Sequence, residues 1–122
     1  MDPVDKLIDK YAYTYYHLDS LSIKTLIRLY HSVYEHDIIV YYLDNKVLDW
    51  NSISKDHKLT EDFIREFKDK VDWNHISIYQ KLTENFIEEF QDKVYWNHIS
   101  MYQKLTENFK QKFKHKVNKN FI

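Results

Sequence analysis

The sequence predicts an all-α fold, a short α-solenoid of stacked helical hairpins preceded by an N-terminal capping helix. The string WNHISIYQKLTENFIEEFQDKV begins at Trp73, returns almost unchanged at Trp96 and occurs in a more diverged form at Trp50. The resulting period of 23 residues is too long for a coiled-coil heptad and lies in the range of solenoid repeats. The chain has no glycine and one proline, so tight hairpin turns with positive φ are disfavoured and helices are favoured.

Apolar residues inside one repeat recur mostly at steps of three and four, which is the spacing of a helical stripe rather than of a strand. In the second repeat they are Trp73, Ile76, Tyr79, Leu82, Phe86, Ile87, Phe90 and Val94. Two helix starts are predicted there, because Asp72 and Thr83 are N-cap residue types flanked by hydrophobic staple pairs. Each repeat is therefore predicted to be two helices of about eight or nine residues, which are too short to be stable alone. Neighbouring repeats must cover their aromatic residues.

The third repeat differs at one staple position, where Lys110 replaces the isoleucine found at Ile64 and Ile87. A polar residue at this position is typical of the end cap that a solenoid needs.

The segment before the repeats is also predicted to be helical. The Asp-Pro pair at 2–3 is a good helix opening, and the helix is expected to extend to about His17. Asp19 or Ser20 is expected to cap the next helix, and Asp37 is expected to start the one after it. In an alignment with the first repeat that inserts one residue before Trp50, four residues take the places of Phe63, Ile64, Phe67 and Val71, and they are Ile39, Val40, Leu43 and Val47.

The chain is interpreted as one domain. Its parts are an N-terminal capping helix at 1–19, a degenerate helical unit at 20–47, helical-hairpin repeats at 48–70, 71–93 and 94–117, and a C-terminal tail at 118–122.

Composition argues against several classes of protein. The chain has no cysteine, which rules out disulfides and thiolate metal sites, and an intracellular location is expected. The first residues lack the basic and apolar regions of a secretory signal. The longest apolar run, at 38–43, is far too short to span a bilayer. We therefore expect a soluble protein with no membrane partner.

No set of residues predicts catalysis, cofactor binding or a metal site, so the chain is predicted not to be an enzyme. His75 and His98 hold the same position in adjacent repeats and are expected to lie roughly 10 Å apart, whereas zinc ligands lie about 2 Å from one ion. His31 and His36 are five residues apart, which places them off a common helix face.

A surface for another protein is the function that the repeats favour. Stacked repeats align their repeated Asn, Lys and Glu residues in ladders, and adjacent tyrosines such as those at 15–16 and 41–42 cannot all face the core. Outward tyrosines are good anchors for a protein partner. Helix capping, charge neutralisation and core packing explain the same pattern without a partner. The candidate partner-binding residues are Tyr16, Tyr42, Lys58, Asn74, His75, Tyr79, Lys81, Asn97, His98, Tyr102 and Lys104.

Nucleic-acid binding through the C-terminal segment is the alternative. Lysines alternating with phenylalanines can follow a phosphate backbone and stack on bases. A solvated end cap with cations near a helix C-terminus explains the same lysines, and residues 61–109 contain ten acidic against six basic side chains, which repel phosphates. The candidate nucleic-acid contacts are Lys110, Lys112, Lys114, Lys116 and Lys119.

The repeated motif W-N-x-I-S-x-Y-Q-K-L-T-E-x-F-I-x-E-F-x-D-K-V resembles short helical-hairpin repeats in proteins of giant DNA viruses of the mimivirus kind, and of some AT-rich bacteria and their phages. The resemblance covers about residues 47–117, with departures that include Asp56, His57 and Lys110. It implies a virus- or phage-linked interaction protein that binds or inhibits a host protein in the host cytoplasm. It transfers no catalytic residue, because the motif contains none.

Overall fold

The computed structural model describes residues 18–31 and 36–117, and all regular structure within them is helical. The prediction of an all-helical chain is confirmed for these residues, while the predicted helix ending near His17 and the tail at 118–122 lie outside them. After a 3-10 turn at Leu18–Ser20, the helices are α1 (Ile23–Tyr30), α2 (His36–Asn45), α3 (Trp50–Asp56), α4 (Glu61–Glu66), α5 (Trp73–Tyr79), α6 (Glu84–Glu89), α7 (Trp96–Tyr102) and α8 (Glu107–Lys112).

The chain divides into two compact units, and the boundary lies between Asp49 and Trp50. The second unit therefore begins at the first repeated tryptophan and contains all three repeats.

In the first unit α1 packs against α2, and its N-cap differs from the prediction. Ser22 caps α1, with its Oγ accepting from the Thr25 N–H at 3.2 Å. Asp19 precedes the helix in the 3-10 turn, and its carboxylate instead accepts a 2.7 Å hydrogen bond from the Tyr42 hydroxyl and lies 3.4 Å from Lys46 Nζ. The expectation that Asp19 or Ser20 caps this helix is wrong.

The buried side of α2 is also shifted from the predicted alignment. Ile39 and Leu43 are buried as expected, but Val40 is half-buried and Val47 is fully exposed. The reason is that α2 ends at Asn45, so Val47 lies beyond the helical stripe. The buried face of this helix consists of two pairs of residues four apart, which are Ile38 with Tyr42 and Ile39 with Leu43.

Each repeat in the second unit is a pair of helices, as predicted, although the helices have seven and six residues rather than eight or nine. The second helix is the shorter one because it ends at a phenylalanine whose φ and ψ angles are not helical. In the second repeat this residue is Phe90, with φ −109° and ψ 31°.

The predicted threonine caps are confirmed. The hydroxyl oxygens of Thr60, Thr83 and Thr106 each accept from the backbone N–H three residues later at 3.2 Å. Asp72 caps α5 in the same way, whereas Tyr95 holds the cap position of α7 without a side-chain hydrogen bond. The N-cap signals at Asp72 and the three threonines therefore place these helix starts correctly.

One tryptophan and two phenylalanines form the aromatic core of each repeat. Trp73 lies 6.2 Å from Phe86 and 5.1 Å from Phe90 between ring centroids, and Phe86 lies 4.7 Å from Phe90. The indole N–H of Trp73 donates to the Lys68 carbonyl at 2.9 Å, so the ring is both packed and hydrogen-bonded. The same ring arrangement recurs in the first and third repeats.

None of the described helices combines the length and apolar character needed to cross a membrane.

Candidate functional site

Gln80 joins the second repeat to the first through three hydrogen bonds of one side chain. Its Oε1 accepts from the Leu59 N–H at 2.9 Å, and its Nε2 donates to the carbonyl oxygens of Ser54 at 2.9 Å and His57 at 2.7 Å. The residue is only 4% exposed, and both amide hydrogens and the oxygen are used. The loop between α3 and α4 is thereby fixed against the end of α5.

Gln103 repeats this arrangement one repeat later. Its Oε1 accepts from the Leu82 N–H at 3.1 Å, and its Nε2 donates to the carbonyl oxygens of Ser77 at 3.0 Å and Gln80 at 2.7 Å. The three loops that follow α3, α5 and α7 are therefore joined in series by glutamine side chains.

Serine and glutamate side chains add further hydrogen bonds between repeats. Ser54 Oγ accepts from the Asp72 N–H at 2.9 Å, and Ser77 Oγ accepts from the Tyr95 N–H at 3.0 Å. The Glu61 carboxylate accepts from both the N–H and the hydroxyl of Thr83, at 2.6 and 3.1 Å. Glu84 makes the same two bonds to Thr106. Members of the predicted glutamate ladder thus hold the next repeat in place.

The second helices of the repeats are linked by ion pairs whose polarity reverses between interfaces. Arg65 donates two hydrogen bonds to Glu89, at 2.8 and 3.0 Å. At the next interface Glu88 accepts from Lys112 at 2.6 Å. Because the acidic partner changes sides, a pairing of Arg65 with Lys112 would place like charges together. The charges therefore favour the observed order of the repeats.

The Arg65–Glu89 pair makes stability depend on pH. The hydrogen bonds from Arg65 lower the pKa of Glu89 below its ordinary value of 4.5. A lowered carboxyl pKa in the folded state contributes stability above the ordinary value and loses it as the pH falls through the folded pKa. We predict that Glu89→Gln flattens the fall of the urea midpoint between pH 6 and 3.

The matched control is Glu66→Gln, because Glu66 is exposed and has no ion pair within the described ranges. Equal pH profiles for Glu89→Gln and the parent protein would contradict this role of the pair.

A groove of about 490 Å³ lies where the loop after α3 meets the end of α5. It is lined by residues 55–61 and 79–81. The groove brings together three of the sequence-predicted residues, Lys58, Tyr79 and Lys81. Lys55, which the sequence analysis did not select, also lines it, with its Nζ 5.9 Å from the centroid of the Tyr79 ring.

The equivalent residues of the third repeat are Tyr102 and Lys104. Tyr79 is 52% exposed and Tyr102 is 55% exposed. Both tyrosines directly precede the glutamines that join the loops, so their positions are fixed by the same hydrogen bonds. We define the loop face as Lys58, Tyr79, Lys81, Tyr102 and Lys104.

The repeated histidines lie beside these tyrosines. His75 is 5.9 Å from Tyr79 and His98 is 6.2 Å from Tyr102 between ring centroids. His98 also stacks on the exposed Tyr95 ring at 6.1 Å, and with Asn97 these residues line a second pocket of about 330 Å³. The loop face is therefore bordered by further aromatic side chains.

His75 and Asn74 are half-buried, which limits them to partial contact with a partner. His75 Nδ1 is 3.3 Å from Asp72 Oδ2, but the geometry is not that of a hydrogen bond. The contact is therefore an ion pair only when the imidazole is protonated. The Asn74 Oδ1 is buried and has no hydrogen-bond partner among the described residues.

Tyr42 does not face outward as the sequence analysis expected. It is 5% exposed, and its hydroxyl is bonded to Asp19. It lies on the buried stripe of α2 because Ile38 is one helical turn before it. Tyr16, the other tyrosine selected from an adjacent pair, lies outside the described residues.

The lysines of the C-terminal segment are largely engaged with neighbouring carboxylates. Lys112 is paired with Glu88 at 2.6 Å, Lys116 lies 4.0 Å from Asp92, and Lys110 lies 3.5 Å from Glu107. Lys114 is exposed, and Lys119 lies outside the described residues.

Gln80 and Gln103 are not among the site residues predicted from the sequence, although one signal could have identified them. Glutamine occurs at this position in the second and third repeats, whereas the first repeat has His57. A side chain that reaches back to a preceding repeat is needed only from the second repeat onward. This difference between repeats marks a contact between them.

No protein-family model, curated protein or solved structure matches the chain.

Proposed function

We propose that this chain is a non-enzymatic protein-interaction module whose loop face binds a partner protein. The observation that supports it most is the pair of tyrosines, Tyr79 and Tyr102, which are more than half exposed although they lie in a tightly joined array. Tyrosine on a rigid support loses little side-chain entropy on binding and is a frequent anchor residue in interfaces.

The second part of the proposal is that the repeats form a short α-solenoid of stacked hairpins. It is supported by the side-by-side packing of α3 with α5 and of α5 with α7, and by the recurring glutamine bonds between their loops. In a solenoid each repeat contacts its neighbours, and equivalent side chains line one surface. A binding surface made of repeated residues, such as the loop face, requires this alignment of equivalent side chains.

The resemblance of the repeat motif to viral and phage repeat proteins extends the proposal to the partner. We propose that it is a host protein, met in the host cytoplasm and bound or inhibited by this chain.

A photo-crosslinking experiment tests the function. A benzophenone amino acid at Tyr102, with Tyr79 retained, is expected to capture a defined partner from cell lysate, and Tyr79→Ala in the same chain is expected to reduce the yield about tenfold or more, as for an anchor residue. The matched control places the same photo-reactive residue at the exposed Glu66, where no capture is expected.

Circular dichroism establishes that the variants keep their helical content. Capture at Glu66 equal to that at Tyr102, or a yield that does not respond to Tyr79→Ala, would reject the loop face as the binding surface.

The nucleic-acid alternative has weaker support, because Lys112 and Lys116 lie near carboxylates of the preceding repeat. It predicts a steep, linear loss of log affinity with log salt concentration. Deletion of residues 110–122 is expected to abolish such binding if this alternative holds.

A further inference from the structure

Two groups of basic residues in the repeats differ in their surroundings. Several on and after the second helices are paired with acids of an adjacent repeat, as in Arg65–Glu89, Lys112–Glu88 and Lys93–Asp69. Those in the loops after the first helices are Lys58, Lys81 and Lys104, which are exposed and form no ion pair within the described part of the chain.

The backbone around Lys58 and Lys81 is fixed by the glutamine of the following repeat. Gln80 bonds to the residues on both sides of Lys58, and Gln103 bonds to the residues on both sides of Lys81. Because α3 packs against α5 and α5 against α7, the loops that carry successive lysines are separated by the spacing of packed helices, roughly 10 Å. A row of exposed lysines on these loops favours an anionic ligand whose charges have a similar spacing.

Acids lie beside the loop face, and they limit the kind of anion that fits. Asp56 and Glu61 line the groove beside Lys58, and Glu84 holds the equivalent position of the next repeat. A nucleic-acid strand places a phosphate about every 3.4 Å in a duplex, so phosphates between the lysines would meet these carboxylates. Carboxylates spaced roughly 10 Å apart instead contact the lysines and avoid the negative charges of Asp56, Glu61 and Glu84.

We infer that the loop face binds an extended acidic segment of a partner protein, with a carboxylate at about every third residue. A segment in the polyproline II conformation has three residues per turn and advances about 3.1 Å per residue, so every third side chain lies on one face at about the spacing of the lysines. Tyr79 and Tyr102 then pack against the side chains between the acids. This inference rests on the proposed protein-interaction function and specifies the chemistry of the partner.

The test compares two fluorescein-labelled peptides of twelve residues, each with four glutamates among serines and glycines. In one the glutamates occupy every third position, and in the other they are consecutive. Fluorescence anisotropy at low salt is expected to give about tenfold tighter binding of the spaced peptide, the sum of several weak exposed ion pairs. The triple variant Lys58→Gln, Lys81→Gln, Lys104→Gln is expected to lose this preference.

The control triple variant Lys24→Gln, Lys68→Gln, Lys114→Gln changes the net charge equally, and it is expected to keep the preference for the spaced peptide. Equal binding of the two peptides, or equal effects of the two triple variants, would overturn the inference. Tighter binding of an oligo-dT strand than of the spaced peptide would overturn it in favour of a phosphate ligand.

The peptide-binding experiment and the crosslinking experiment can fail independently of each other. A partner captured in a Tyr79-dependent manner, together with no binding of the spaced peptide, would reject only the acidic segment. Binding of the spaced peptide without any captured partner would reject the host-protein proposal and retain the charge specificity.

Discussion

Replacing Phe86 with alanine is expected to lower the free energy of unfolding by about 3–5 kcal/mol, the range for removing a buried aromatic ring. The side chain is 1% exposed and contacts the rings of Trp73 and Phe90. Arg65 of the preceding repeat lies 5.5 Å from the ring centroid, so the cavity left by the substitution is enclosed by two repeats. Urea denaturation followed by tryptophan fluorescence measures the loss.

The matched control is Phe109→Ala in the third repeat. Phe109 contacts the equivalent rings, those of Trp96 and Phe113, but is 6% exposed. We expect its replacement to lower the free energy of unfolding by about 1 kcal/mol less than Phe86→Ala, or by still less, because its site can relax toward solvent. An equal or larger loss for Phe109→Ala would contradict the view that the middle repeat is covered on both sides.

Gln80→Ala is expected to cost about 3 kcal/mol, although it removes no apolar side chain from the core. The substitution leaves the Leu59 N–H and the carbonyl oxygens of Ser54 and His57 without their partner. A buried polar group left unpaired costs about 1–3 kcal/mol. The urea midpoint is therefore expected to fall while the slope of the unfolding transition stays constant.

Two further substitutions separate hydrogen bonding from side-chain volume. Gln80→Glu keeps the acceptor for Leu59 but loses the donors, so we expect destabilisation at neutral pH that is partly relieved when the carboxyl is protonated. Gln111→Ala removes an exposed glutamine from α8 and is expected to change stability by less than about 0.5 kcal/mol. If Gln80→Ala were as mild as Gln111→Ala, the proposed joining of the loops would be wrong.

Local features of the fold could be predicted from the sequence, because their signals lie within one helical turn. The threonine caps at Thr60, Thr83 and Thr106 depend on a hydroxyl and an N–H three residues apart. The helical spacing likewise predicts the burial of the repeated phenylalanines, whereas Tyr79, which has the same spacing, is 52% exposed. These interactions are repeated three times, so the pattern is easy to separate from chance.

Features that depend on where a helix ends could not be predicted in the first unit. The alignment placed Val47 in the core, but α2 ends at Asn45 and leaves this side chain exposed. Tyr42, predicted on the surface, is buried one helical turn after Ile38, and its hydroxyl donates to Asp19, 23 residues earlier in the chain. Hydrophobic periodicity gives no information about a hydrogen bond between residues so far apart in the chain.

The candidate site could be predicted from the sequence only in part. Lys58, Tyr79 and Lys81 were selected as repeated polar or exposed residues, and the structure places them around one groove. The sequence did not show that Gln80 fixes the loop between them, because a glutamine amide has no preferred local partner. The direction in which the side chain points is decided by the packing of α3 against α5.

Amide hydrogen exchange at Leu59 and Leu82, measured by nuclear magnetic resonance, tests most directly whether consecutive repeats hold each other's loops. We predict that both amides exchange as slowly as core helix amides, and that Gln80→Ala accelerates exchange at Leu59 while Leu82, bonded to Gln103, stays protected. Exchange of both amides in the parent protein at the rate of unprotected loop amides would contradict the account.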